Sequence, residues 1–168
     1  MHRPLKGASI ALCAVTIAAC SSSSGNAGTA TAASKALAAS TQAANVPLLD
    51  QEAFETHIHT QLHVTVNGTS MTVPAFIGID QDLNRIAALH THDDTGLIHV
   101  ESPEKNAKYT LNQFLTVWGM PADAAGQCAF FNAKPPCTVT VTSKDSGKVG
   151  LDVTLADQDT LTLTVTSS

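Results

Sequence analysis

Six of the seven histidines of this chain fall between His57 and Glu101, a stretch where average composition would place about one. They stand at His57, His59 and His63, then at His90, His92 and His99, with Glu101 two residues further on. Nearly all are an even number of positions from a neighbour. In a β-strand successive side chains point to opposite faces, so even spacing puts His57, His59, Gln61 and His63 on one side and Ile58, Leu62, Val64 and Val66 on the other. Ile98 and Val100 stand in the same relation to His99 and Glu101. A sheet with one apolar face and one imidazole-lined face is a rigid scaffold on which a metal site can be built.

The turns support this reading. Asn67-Gly68 is the strongest short hairpin signal a sequence offers, ending a strand from His57 to Val66 and starting a returning one from Ser70 to Ile79, with Pro74 marking an edge or bulge. Asp93-Asp94-Thr95-Gly96 joins segments Arg85 to His92 and Leu97 to Glu101. If His92 pairs with Leu97, His90 lies opposite His99, with Cβ atoms about 5 Å apart.

Elsewhere the pattern is simpler. A short helix is expected at Pro47 to Phe54, since proline suits a first helical turn. The spacing of Leu111, Phe114, Leu115 and Trp118 predicts an amphipathic helix over Thr110 to Trp118. Thr110 with Gln113 forms its capping box, and Gly119 and Pro121 stop it. Phe114 and Trp118 read as core. Thr138 to Thr142, Val149 to Leu155 and Leu161 to Val165 alternate apolar with polar residues and read as three antiparallel strands. The expected class is mainly β, of the α+β kind: an antiparallel sheet, or a partly open barrel or sandwich, with one amphipathic helix.

The amino terminus carries a different kind of information. Arg3 and Lys6 precede the apolar run Ala8 to Ala19, too short to span a bilayer as a mature helix and suited to a secretory signal peptide, residues 1–19. Ile17-Ala18-Ala19-Cys20 resembles the lipobox of bacterial lipoproteins, which implies that Cys20 is lipidated and anchors the chain in the cell envelope, in the periplasm if the cell is Gram-negative. Residues 20–46 are rich in Ser, Ala and Thr and read as a disordered tether. An Ala-rich helical spacer between Ala30 and Ala44 is the competing reading. Residues 47–168 form a single domain. With Cys13 removed and Cys20 lipidated, Cys128 and Cys137 remain for a structural disulfide outside the cytoplasm. Eight intervening residues are too many for a zinc knuckle.

Two further resemblances concern the histidine region. His57-Ile58-His59, Asn67-Gly68, Val73 to Gly78, His90 to Asp93, Gly96 to Pro103 and Thr110 to Gly119 together resemble an uncharacterised group of secreted or lipid-anchored microbial proteins with the same succession of motifs. The resemblance covers about a third of the chain and implies a shared site without naming its chemistry. A weaker similarity is to cupins, which also set a His-x-His on a strand, but here His63 stands where the cupin glutamate would be and Gly68 comes early.

Three functions fit. The first is an envelope protein that binds Cu(II) or Zn(II) through His57, His59, His63, His90, His92, His99 and Glu101, for sequestration or delivery; neutral imidazoles suit these ions, and no Met-rich cluster points to Cu(I). The second is a metal-dependent enzyme of cupin-like or hydrolase type, with Glu101, Asp93 or Asp94 as base. The sequence has no HExxH, nucleophile elbow or P-loop. The third is a lipid-anchored β domain whose histidines are polar face residues or a pH-responsive patch. Net charge is –5 with no basic patch, which argues against nucleic acid. No protein partner is indicated.

Overall fold

A computed structural model describes residues 31–168. The expected signal peptide, Cys13, the expected lipidation site at Cys20 and the expected tether as far as residue 30 lie outside the described residues. In chain order the elements are α1 (Ala32–Ala44), β1 (Leu48–Leu49), β2 (Thr56–Val66), β3 (Thr69–Met71), β4 (Ile79–Asp80), β5 (Arg85–Ala87), β6 (Leu89–His90), β7 (Leu97–Ser102), α2 (Leu111–Trp118), α3 (Ala124–Phe130), β8 (Cys137–Ser143), β9 (Gly147–Val149) and β10 (Thr160–Ser167). The described residues are mostly β, as the sequence pattern indicates, with three helices where one amphipathic helix is expected, and their sheets do not close into a barrel.

The main sheet has the order β6-β7-β2-β10-β8-β9, with β3 also paired to β2. Strand β2 is its spine. One edge of β2 binds β7 through its first half and β3 through its second, and the other edge binds β10. Leu62, Val64, Ile98, Val100, Leu161, Leu163 and Val165 are buried together with Leu111, Phe114 and Leu115 of α2. Burial of a side chain of this size contributes about 1.5–3 kcal/mol, and this shared face fixes the register of β2 and β7, because a one-residue slip would turn the apolar side chains out.

Several local expectations are corrected. Residues 32–44 are helical and packed against the domain, so residues 20–46 are not a tether throughout. Thr31 caps α1 by accepting from Ser34 N, Ser40 Oγ donates to Val117 O and Gln113 Nε2 donates to Ala44 O. Alanine-rich composition favours helix and permits close approach, while Ala44 and Val46 join the core, so the folded unit begins ahead of residue 47. The expected helix at Pro47 to Phe54 is instead the strand β1, paired with Ala87 and Ile86; so short a helix cannot repay its nucleation when an edge strand offers partners.

The strand expected over Ser70 to Ile79 stops at Met71, ahead of Pro74, whose carbonyl accepts from Thr91 Oγ1. Arg85 to His92 is broken at Ala88, so β5 joins a small sheet with β1 and β4 while β6 joins the main one. The strand expected over Val149 to Leu155 ends at Val149. The following carbonyls of Leu151 and Val153 accept from Asn112 N and Leu111 N, satisfying free N–H groups of the first turn of α2.

β8 pairs antiparallel with both β9 and β10, as expected, and β10 also pairs with β2, to which it runs parallel. The preceding loop lies along β2, with Gln158 N donating to His59 O and Gln61 N donating to Asp159 O, so the chain enters β10 already pointing along β2. α2 and its capping box are as expected. α3 was not anticipated: Asp123 caps it by accepting from Gly126 N, and Cys128 within it forms the disulfide with Cys137.

Candidate metal centre

Strand β7 lies between β2 and β6, which places His59 opposite His99 and His90 opposite His99, in a row across three strands. In the next row His57 faces Glu101. The ring centroids of His99 lie 4.6 Å from His59, 5.2 Å from His90 and 4.5 Å from His92. Ile98 and Val100 point the other way into the core.

Two glycines make this approach possible. The loop glycine Gly96, at φ +81°, lies against the backbone of β2, where a Cβ would stand 2.4 Å from Leu62 O; it also accepts from Leu62 N. Gly78, at φ +76°, leaves room for β6, where a Cβ would come within 2.4 Å of Leu89 O and 3.1 Å of His90 Cβ. Both are conformations and contacts that only glycine accepts readily.

Two overlapping groups of donor atoms result. His90, His92, His99 and Glu101 offer one atom each, all within 4.8 Å of one another, and so do His57, His59 and His99. Within the first group, His90 Nδ1 lies 2.9 Å from Ala87 O. A carbonyl can only accept, so Nδ1 carries the proton and the lone pair of the neutral ring is on Nε2. That atom is 3.2 Å from His92 Nε2. Two nitrogens on one tetrahedral zinc, with bonds of about 2.0–2.1 Å, stand about 3.3 Å apart. Glu101 Oε1 lies 3.5 Å from His99 Nδ1 and 3.9 Å from His90 Nε2.

Burial sharpens the case. The side chains of His90 and Glu101 are 0% and 4% exposed and His99 is 17% exposed. Among the described residues, His99 Nδ1 and Glu101 Oε2 are buried polar atoms without a hydrogen-bond partner. Such orphans cost about 1–3 kcal/mol each, and a cation bound beside His99 Nδ1 and Glu101 Oε1 would satisfy the first and offset the charge of the second. The residues present therefore fit a metal ion.

The electrostatics agree with a site that favours neutral rings. Burial pushes His90 down to about 3, aided by the neighbouring His92 and His99, against the Ala87 hydrogen bond. Burial likewise lowers His99 to about 4, and it raises the carboxyl of Glu101, assisted by Glu52. Metal ligation requires neutral imidazole nitrogens, and His90 and His99 are held in that form well below neutral pH.

Not every residue singled out in the sequence converges. His63 is exposed, pairs with Thr162 of β10 and belongs to neither group; four residues along the strand from His59 it is about 13 Å away. Asp93 is tied into the turn, accepting from Thr95 N and Thr95 Oγ1. Those bonds, the hydroxyl's first, hold its carboxyl below the usual range. Asp94 is exposed. Conversely, Glu52 emerges as a neighbour, its Oε1 3.8 Å from His92 Nε2. Nothing local in the sequence marks it, because it reaches the site from the segment after β1. A surface groove of about 680 Å³ borders His92 and Glu52 and includes Phe76 and Arg85.

No protein-family model, no curated protein and no solved structure matches the chain.

Proposed function

We propose that this protein is a lipid-anchored cell-envelope protein that binds a divalent transition ion, Cu(II) or Zn(II), for sequestration or delivery. The observation that carries the metal reading is the inner group: His90, His92, His99 and Glu101 converge around buried orphan atoms, with His90 oriented by Ala87. Three imidazoles and one carboxylate suit a borderline divalent ion. The motif at Cys20 supports anchoring outside the cytoplasm, and the Cys128–Cys137 disulfide fits an oxidising compartment.

Binding is favoured over catalysis by the state of the three candidate bases. Asp93 is engaged by Thr95, Asp94 is exposed and belongs to neither donor group, and Glu101 stands among the donors themselves. The resemblance to the uncharacterised group of envelope proteins extends this proposal to a shared site in that group. Elemental analysis of protein purified without a histidine tag or chelating resin tests the reading. A bound, stoichiometric first-row ion supports it, and protein that neither contains nor takes up Cu(II) or Zn(II) overturns it.

A further inference from the structure

The outer group remains to be explained. His57, His59 and His99 form a second donor set that shares His99 with the inner set. No single ion reaches both sets entire, since the donors lie within 4.8 Å of one another only inside each group. The sets also differ in depth. His57 is 41% exposed on its side chain, while Glu101 and His90 are almost completely covered. The outer set has three nitrogens, whereas the inner one has three nitrogens and an anionic oxygen, so the inner position binds a cation more strongly.

We infer that the protein holds one ion in two alternative seats, and that His57 and His59 form an outer way station through which a divalent ion passes to the inner seat. This rests on the metal-binding reading above. His99 belongs to both seats, so one ring is common to the start and the end of the exchange in which His57 and His59 give way to His90, His92 and Glu101. Glu101 Oε1 is 3.5 Å from His57 Nε2 as well as from His99 Nδ1, which sets the incoming carboxylate beside the outgoing ring. The exchange forms and breaks only coordination bonds; the ion stays divalent, and any proton on a nitrogen that takes the ion leaves to solvent.

Simultaneous occupation of both seats is opposed by charge. Two divalent ions held beside one shared ring repel strongly in a medium of effective dielectric well below that of water. Glu101 is the single carboxylate in either donor group. The predicted stoichiometry is one ion per chain.

A way station lowers the barrier in both directions, so removing it slows loading and release by the same factor and leaves affinity unchanged. The test is stopped-flow loading of Zn(II), and chelator-driven release, for the full chain and for a His57→Ala/His59→Ala variant, with circular dichroism as the check on folding. At least tenfold slower loading and correspondingly slower release, with Kd within about threefold, is the expected result. A companion His90→Ala variant should still bind one Zn(II), more weakly, and lose it on the further change of His57 and His59. The inference is overturned by two ions per parent chain, by unchanged rates, or by faster release with unchanged loading, which would make His57 and His59 ligands of the final seat. A parent chain that takes up no Zn(II) or Cu(II) would instead remove the proposed function itself.

Discussion

Burying two neutral imidazoles on the polar face of the main sheet should make the metal-free domain acid-sensitive, and the size of the effect follows from the site. In the unfolded chain a histidine titrates near 6.5, whereas burial lowers His90 to about 3 and His99 to about 4. The unfolded state therefore binds more protons across the window between the two values, and stability must rise with pH there. The favourable balance is complete above about pH 6.5 and is lost as pH falls toward the folded values. At pH 5 each ring disfavours the fold by about 2 kcal/mol relative to pH 8, or about 4 kcal/mol together. Glu101 acts in the opposite sense, because its raised carboxyl favours the fold at low pH, so the sum is an upper bound. Urea denaturation of metal-free protein at both pH values, compared between the parent and His90→Leu, isolates one ring. The variant should lose about 2 kcal/mol less than the parent between pH 8 and pH 5. Equal losses in the two proteins would refute the argument.

Three other perturbations test separate parts of the account. Changing Cys128 and Cys137 together to Ala opens a ten-residue loop and should cost about 2 to 3 kcal/mol in the chain-entropy model, read as a lower urea midpoint; an unchanged midpoint would count against a structural role. Cys20→Ser should release the protein from the membrane fraction; unchanged fractionation of the variant, together with a lipid-free mass for the parent, would sink the anchor. A chain begun at residue 47 removes α1 with the buried Ala44 and Val46. It should unfold at lower denaturant by several kcal/mol, and equal stability would mean that α1 contributes no packing.

The sequence made the site more legible than the fold around it. Strand parity placed His57, His59, His99 and Glu101 off the apolar face, and the turn at Asp93 to Gly96 set His90 opposite His99, because both inferences depend on alternation and loop length alone. Convergence of those rings needed β7 to sit between β2 and β6, and the shared burial of Ile98, Val100, Leu62 and Val64 supplied the reason. His63 shows where parity stops informing: a shared face does not imply shared reach. The contribution of Glu52 and the carbonyl of Ala87 was invisible because it depends on tertiary placement. Likewise the helix at Ala32–Ala44 has the composition of a linker. Only its contacts with Val117 and Gln113 make it part of the domain. Strand direction was the remaining gap, since alternation in Leu161 to Val165 cannot distinguish a parallel neighbour from an antiparallel one.

Whether His90, His92, His99 and Glu101 hold a metal ion is decided by competitive-chelator titration of Zn(II) and Cu(II) into the full chain, free of any histidine tag, and into a His90→Ala/His99→Ala variant of verified fold. The parent should take up one ion and the variant should lose more than about a hundredfold in affinity, since removing ligands must cost at least what disturbing their supporting partners does. A parent that binds neither ion, or a variant that binds as tightly as the parent, would contradict a metal site there.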